Sequence, residues 1–419
     1  MTQNDHALAL LESGKVLEAI PILRELAWRA PTYKSYINLA SALRSAGQFD
    51  DSIAYLGRAI NIDSDSPHAW LTLANVFHDT GNFTQSLDYY QAALFRSQHG
   101  NPHALRQAAL GCAQAHLRSH QFEEARPLWE LGRFGESYNA LPGTRRWLGE
   151  PCKTLLVICE GGFGDAMLFS RWLPFLRDRA RHVKLMVWDR MAYAINWQDL
   201  GVDEVIPSST DISVDDIEFT TSWMSLPGIF GMRAIADIPP DMHQIFVAPT
   251  IYADEGGMVG YCWRAEENCT IRKVRSLPIE TAEALATRLS AHGEVISLCP
   301  RAKHLHRSTD EPWPSNVAQY ESLLDGWPRT AALVHSCKLV VTVDTAIAHL
   351  AGIMCVPTLL LLPCASDWKW GTAANQTEDI WYDPRFLHYY RNYNPWHWDV
   401  ESIALHAKIL VDRLCTIRK

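Results

Sequence analysis

The residues best suited to chemistry lie in three short stretches of the second half of the chain. The first is Glu160-Gly-Gly-Phe-Gly-Asp165, where Gly161, Gly162 and Gly164 allow a tight turn and Asp165 opens an amphipathic helix, 166–179. A phosphate cradle is one reading. It is weakened by the carboxylate, which repels an anion, and by the absence of a GxGxxG or GKS/GKT pattern. Asp165 as a general base that accepts a proton from an alcohol is a second reading, and a helix-capping aspartate is the plain alternative. The second stretch, 341–352, reads as a strand entering a helix and carries Asp344, Thr345 and His349. The exposed N–H groups of its first turn and the helix dipole suit a diphosphate, and Asp344 and Thr345 suit sugar hydroxyls and phosphate oxygens. An Asp/Thr cap with a core histidine is the alternative. The third stretch holds Trp263 and Arg264, then Arg272, Lys273 and Arg275, cations able to neutralise a leaving diphosphate or simply to face solvent.

These stretches need strands and helices to position them. Apolar runs at 154–159, 183–187, 204–206, 258–262, 295–298, 339–343 and 358–362 have strand length and alternate with helical stretches, the pattern of parallel sheets with crossovers. A break near 249–257 divides them into two doubly wound halves. Ligands in such folds sit at the carboxyl ends of the strands, where the three stretches fall.

The first third of the chain is organised differently. Tyr36, Leu39, Ala40, Leu43, Gly47 and Phe49 recur 34 residues later as Trp70, Leu73, Ala74, Phe77, Gly81 and Phe83. Gly14, Val16, Ala19 and Pro31 repeat part of the pattern earlier, and Phe122, Ala125 and Trp129 repeat it later, making about four helical hairpins. This period and these small and aromatic positions fit tetratricopeptide repeats, which stack into a concave groove suited to a peptide or protein segment. A dimerisation or packing arm, making a homo-oligomer, is the competing reading. The expected organisation is an α-solenoid over 1–131, a linker over 132–152, and Rossmann-like domains over 153–252 and 253–419.

Composition sets the bounds. With 419 residues, 47% hydrophobic and 20% charged, the chain can bury several cores. A net charge of −9 gives no reason to expect nucleic acid, and the basic run 177–184 reads as a solvated helix end. No secretory signal is read at the N-terminus, and the most apolar stretch, 339–362, is broken by Asp344, His349 and Pro357, so a cytoplasmic protein without a membrane span is expected. Ten cysteines show no CxxC pair and no zinc spacing, and no metal site is expected.

Together with Ser225-Leu-Pro227, Gly260-Tyr-Cys-Trp263, Arg275-Ser-Leu-Pro278, Thr330-Ala-Ala-Leu333, Val343-Asp-Thr-Ala-Ile-Ala-His-Leu-Ala-Gly352 and 362–370, the glycine loop resembles glycosyltransferase family 9. These are heptosyltransferase-like enzymes of the GT-B fold, some bacterial members of which carry a tetratricopeptide arm. The resemblance covers residues 153 to the C-terminus. It implies an inverting, metal-independent transferase with no cofactor beyond its nucleotide-sugar donor. Asp165 would be the base, with Gly161, Gly162, Gly164 and Ser225 on the acceptor side. Trp263, Arg264, Asp344, Thr345, Ala346 and His349 would face the donor, with Arg272, Lys273 or Arg275 replacing the lysine that meets the phosphates in the lipopolysaccharide enzymes. The arm, which those enzymes lack, suggests a protein acceptor. A saccharide or lipid-linked acceptor and a non-catalytic adaptor are the alternatives.

Overall fold

The computed structural model describes residues 2–98, 100–133, 141, 143–193, 195–240, 257–265, 275–299, 313–320, 324, 326–371, 380–394 and 397–417. They group into two bodies, one of helical repeats with residues 364–371, and one holding both sheets.

The repeat body begins with α1 (Gln3–Glu12), α2 (Val16–Arg29), α3 (Tyr33–Ser45), α4 (Phe49–Ile62), α5 (Pro67–Asp79), α6 (Phe83–Ser97), α7 (Pro102–Arg118) and α8 (Phe122–Gly132). These are the four expected hairpins. Ala40, Ala74 and Ala113 are fully buried, where only a small side chain lets paired helices close. Equivalent serines repeat one bond, Ser52 Oγ to the Ala40 carbonyl at 2.8 Å and Ser86 Oγ to the Ala74 carbonyl at 2.9 Å. The turns inside the first three hairpins carry Gly14, Gly47 and Gly81 at φ of +76°, +71° and +77°, the left-handed region that glycine enters without strain. The fourth uses His120, at +59°.

Residues 364–371 also pack on this body. Trp368 meets Trp129 edge-on at 5.8 Å, and the buried Arg118 donates to the Ser366 carbonyl at 2.7 Å while lying 4.0 Å over the Phe83 ring. Nothing in the repeat pattern shows this clasp.

The second body contains β1 (Arg145–Arg146), β2 (Cys152–Ile158), α9 (Phe163–Phe169), β3 (Ala180–Val187), α10 (Asp189–Ala192), β4 (Glu204–Pro207), β5 (Phe219–Ser222) and α11 (Leu226–Ile229) in its first half. The second half has β6 (Met258–Cys262), α12 (Ile279–Leu289), β7 (Val295–Ser297), α13 (Trp327–His335), β8 (Cys337–Val343), α14 (Ala346–Ile353), β9 (Thr358–Leu362), β10 (Leu387–Arg391) and α15 (Val400–Ile417). Each half has one five-stranded parallel sheet, ordered β1-β5-β2-β3-β4 and β10-β9-β8-β6-β7. The fold is therefore a helical repeat region followed by two parallel-sheet α/β domains. Strand β9, Thr-Leu-Leu-Leu-Leu, is buried at every position, as a strand covered on both faces must be.

Two sequence expectations change. The run 166–179 is not one α-helix: α9 ends at Phe169 and 3-10 turns continue over Ser170–Asp178. Pro174 lacks an N–H and its ring crowds the carbonyl four residues earlier, which ends the α-helix there. The basic run 177–184 is an exposed helix end only as far as Arg179. From Ala180 it is strand, with Arg177 bonded to Asp203 at 2.8 Å and Lys184 to Asp216 at 2.7 Å. Within the expected linker, Arg145 pairs with Phe219 as an edge strand of the first sheet.

Candidate active site

Strand order changes direction once in each sheet, between β2 and β5 and between β6 and β8. Crevices outside the carboxyl ends of strands at such switch points are where open α/β sheets bind ligands. The loops leaving β2, β5, β6 and β8 begin the stretches holding Asp165, Ser225, Trp263 with Arg264, and Asp344 with Thr345.

On the first sheet, Gly161 takes φ of +76°, and Asp165 lies in the first turn of α9. Its Oδ2 accepts the Gly162 N–H at 2.7 Å, which fixes the carboxylate against its own loop. Ser225 follows β5 at 2% exposure, and its hydroxyl has no hydrogen-bond partner among the described residues. A buried hydroxyl in that state is rare and suits a ligand contact.

On the second sheet, Thr345 is the N-cap of α14, but its side chain makes no capping bond to that helix. Its Oγ1 lies 3.1 Å from Thr342 Oγ1 instead. Asp344, 5% exposed, is met by Arg275, whose Nη1 lies 3.3 Å from both its carbonyl oxygen and its Oδ2. Arg275 therefore offsets the negative charge that would otherwise repel an anion at this helix end. Arg264 lies 5.7 Å from the Trp313 ring, and Trp263 is buried between Tyr261 and Trp313. Below them, Cys299 donates to Cys262 across 3.5 Å. That bond lowers the Cys262 thiol, while burial raises Cys299. Arg272 and Lys273 lie outside the described residues.

The two halves meet through residues assigned to opposite sides of the site. His349, 2% exposed, lies against Gly164, where a Cβ would stand 2.3 Å from its Cδ2, and its Nδ1 is 2.7 Å from the Tyr382 hydroxyl. The imidazole thus packs α14 on α9, the role of a core histidine. Sequence reasoning missed Arg171, which donates to the carbonyls of Leu168 at 3.0 Å, Pro239 at 3.3 Å and Trp381 at 3.0 Å from 3% exposure. It also missed Glu160, buried at the end of β2. A glutamate beside a glycine loop carries no periodic signal that would have marked it.

A tetratricopeptide-repeat family model matches residues 4–67 and 37–102. The N-terminal region is a tetratricopeptide-repeat array. Protein FlbA of Caulobacter vibrioides is 28% identical to this chain, over 33% of it and 29% of FlbA. The chain thus spans under a third of that relative. Among solved structures, an E. coli heptosyltransferase, WaaC with ADP, aligns at TM-score 0.41 and 11% identity, over 61% of this chain and 99% of its own. A Thermobaculum terrenum O-GlcNAc transferase mutant aligns at TM-score 0.35 and 13% identity, over 98% of this chain and 92% of its own.

Proposed function

We propose that the protein is an inverting, metal-independent glycosyltransferase that moves a sugar from a nucleotide-sugar donor to a hydroxyl of a protein acceptor held by the repeat array. The observation that carries this reading is the placement of Asp165 and of Asp344 with Thr345 in loops at the switch points of two successive parallel sheets. Two such crevices on halves joined by α9 and α14 can hold an acceptor and a donor against each other. The motif resemblance names the chemistry, and the tetratricopeptide array supports a polypeptide acceptor over a saccharide.

Asp165 takes the proton of the acceptor hydroxyl, and the oxygen attacks the anomeric carbon from the face opposite the diphosphate. The bond to the diphosphate breaks and its electron pair leaves with that group. First-turn N–H groups of α14 and the cations around Arg264 and Arg275 stabilise the charge. The motif resemblance leaves the direct phosphate contact to Arg272, Lys273 or Arg275, the last of which is also engaged with Asp344. A cytoplasmic setting, where nucleotide sugars are made, is part of the same proposal.

Incubation with a panel of UDP-, ADP-, GDP- and CMP-sugars, reading free nucleotide, tests it. Release from one donor, enhanced by a co-expressed polypeptide, is expected. Failure to bind any of the nucleotides would favour the adaptor. Comparable transfer to small saccharides after the array's concave side chains are altered would favour a saccharide acceptor.

A further inference from the structure

Glu160 has no task in the mechanism above, yet it is a carboxylate at 3% exposure. Burial of a carboxylate is tolerated only where hydrogen bonds replace its water. Its Oε1 accepts the Ser222 hydroxyl, and its backbone carbonyl accepts the Trp223 indole N–H at 3.1 Å. Ser222 Oγ accepts in turn the Met224 N–H at 3.0 Å. One residue at the end of β2 thereby holds the turn that follows β5, across the switch point.

That turn reaches back to the base. A Cβ on Gly161 would stand 2.7 Å from Met224 Cε and 2.4 Å from Asp165 Oδ2. Gly161 is wedged between the two, and the same Asp165 oxygen accepts the Gly162 N–H. The contacts form a continuous chain, Glu160 to Ser222 to Met224 to Gly161 to Asp165.

We infer that Glu160 is a positioning residue for the reaction: its carboxylate holds the Ser222–Ser225 turn against Gly161 and so fixes the direction of Asp165, without touching either substrate. The catalytic half of this inference rests on Asp165 being the base; the structural half does not.

Hydrogen exchange on the full chain, without ligand, reads the structural half through peptides spanning 159–169. Glu160→Ala is expected to speed exchange in this loop by about tenfold or more while β3 and β6 stay within about twofold, the pattern of a local opening. Glu160→Gln keeps an acceptor oxygen for Ser222 and is expected within about threefold of wild type. Ser222→Ala should move exchange in the same direction by about threefold or more, and decides the matter if Glu160→Ala does not fold. Unchanged loop exchange in the variant that folds, or equal acceleration throughout the body, overturns the inference. With a donor in hand, Glu160→Ala should lower kcat by about 10–100-fold at unchanged donor KM, with Glu160→Gln restoring most of it. A rise in KM at unchanged kcat would contradict positioning. Should Asp165→Ala turn over normally while the exchange result holds, the base assignment fails and the loop-holding role of Glu160 stands.

Discussion

The imidazole of His349 rests on the α-carbon of Gly164 so closely that a methyl group there would lie 2.3 Å from Cδ2 and 2.9 Å from Nε2. Neither ring nor backbone can yield cheaply, because His349 is tied to Tyr382 and Gly164 lies in the first turn of α9, one residue after the helix start. Gly164 is therefore needed for close approach and not for backbone freedom.

Gly164→Ala should destabilise the protein by about 1–3 kcal/mol, the usual cost of overpacking a full site. Thermal unfolding of Gly164→Ala, His349→Ala and the double variant checks the cause. Removing the ring relieves the clash, so the double variant should be more stable than the two single effects summed. Strict additivity would show that the two residues do not meet.

Arg275→Ala leaves the Asp344 carboxylate, 5% exposed, without the guanidinium beside it. Affinity for nucleoside diphosphates should fall by about 10–100-fold, or about 1.4–2.8 kcal/mol, measured by calorimetry. Arg275→Lys should recover part of the loss, since it keeps the positive charge but carries it on a flexible, strongly hydrated ammonium in place of the guanidinium. Asp344→Asn in the Arg275→Ala background should restore binding if repulsion is the cause. Equal affinity of Arg275→Ala and wild type would refute the role given to the pair.

Acid should loosen the repeat body through His78. Burial holds this imidazole below its usual range, with Arg118 and Arg44 acting in the same direction and Asp79 opposing them. Arg118 donates to its Nε2 at 3.2 Å, a bond that requires the neutral ring. The folded value lies below the unfolded one of about 6.5, so the unfolded chain binds more protons as pH falls through and below about 6.5, and stability is lost there. Between pH 7.5 and 5 the wild type should lose about 2–4 °C of Tm more than His78→Gln, which keeps a neutral acceptor. Parallel curves would exclude His78 as a source of the acid sensitivity.

Much of this architecture was legible in the sequence, and the reasons for what was not are physical. The 34-residue period survives because each hairpin must bury the same positions, so Ala40 and Ala74 repeat as small residues whatever the surface does. Strands β6 and β9 begin and end where their apolar runs do, since a strand covered on both faces cannot tolerate polar interruption. Strand β5, Phe-Thr-Thr-Ser, is as buried but satisfies its hydroxyls internally, so hydropathy alone passes over it. The clasp at 364–371 and the Gly164–His349 contact join residues 248 and 185 positions apart, counting from Arg118 to Ser366 and from Gly164 to His349. No local pattern encodes such pairs. The same holds for Glu160, whose burial depends on a serine on the neighbouring strand.

If Asp165 is the base, removing its charge while keeping its shape should stop transfer. Wild type and Asp165→Asn, which keeps the oxygen that accepts the Gly162 N–H, are incubated with the donor that the panel identifies and with the co-expressed acceptor, and intact-mass spectrometry reads the sugar added. Loss of transfer by about 10²–10⁴-fold at unchanged Tm and unchanged donor affinity is predicted, the usual contribution of a positioned base. Transfer at the wild-type rate by Asp165→Asn would contradict the assignment.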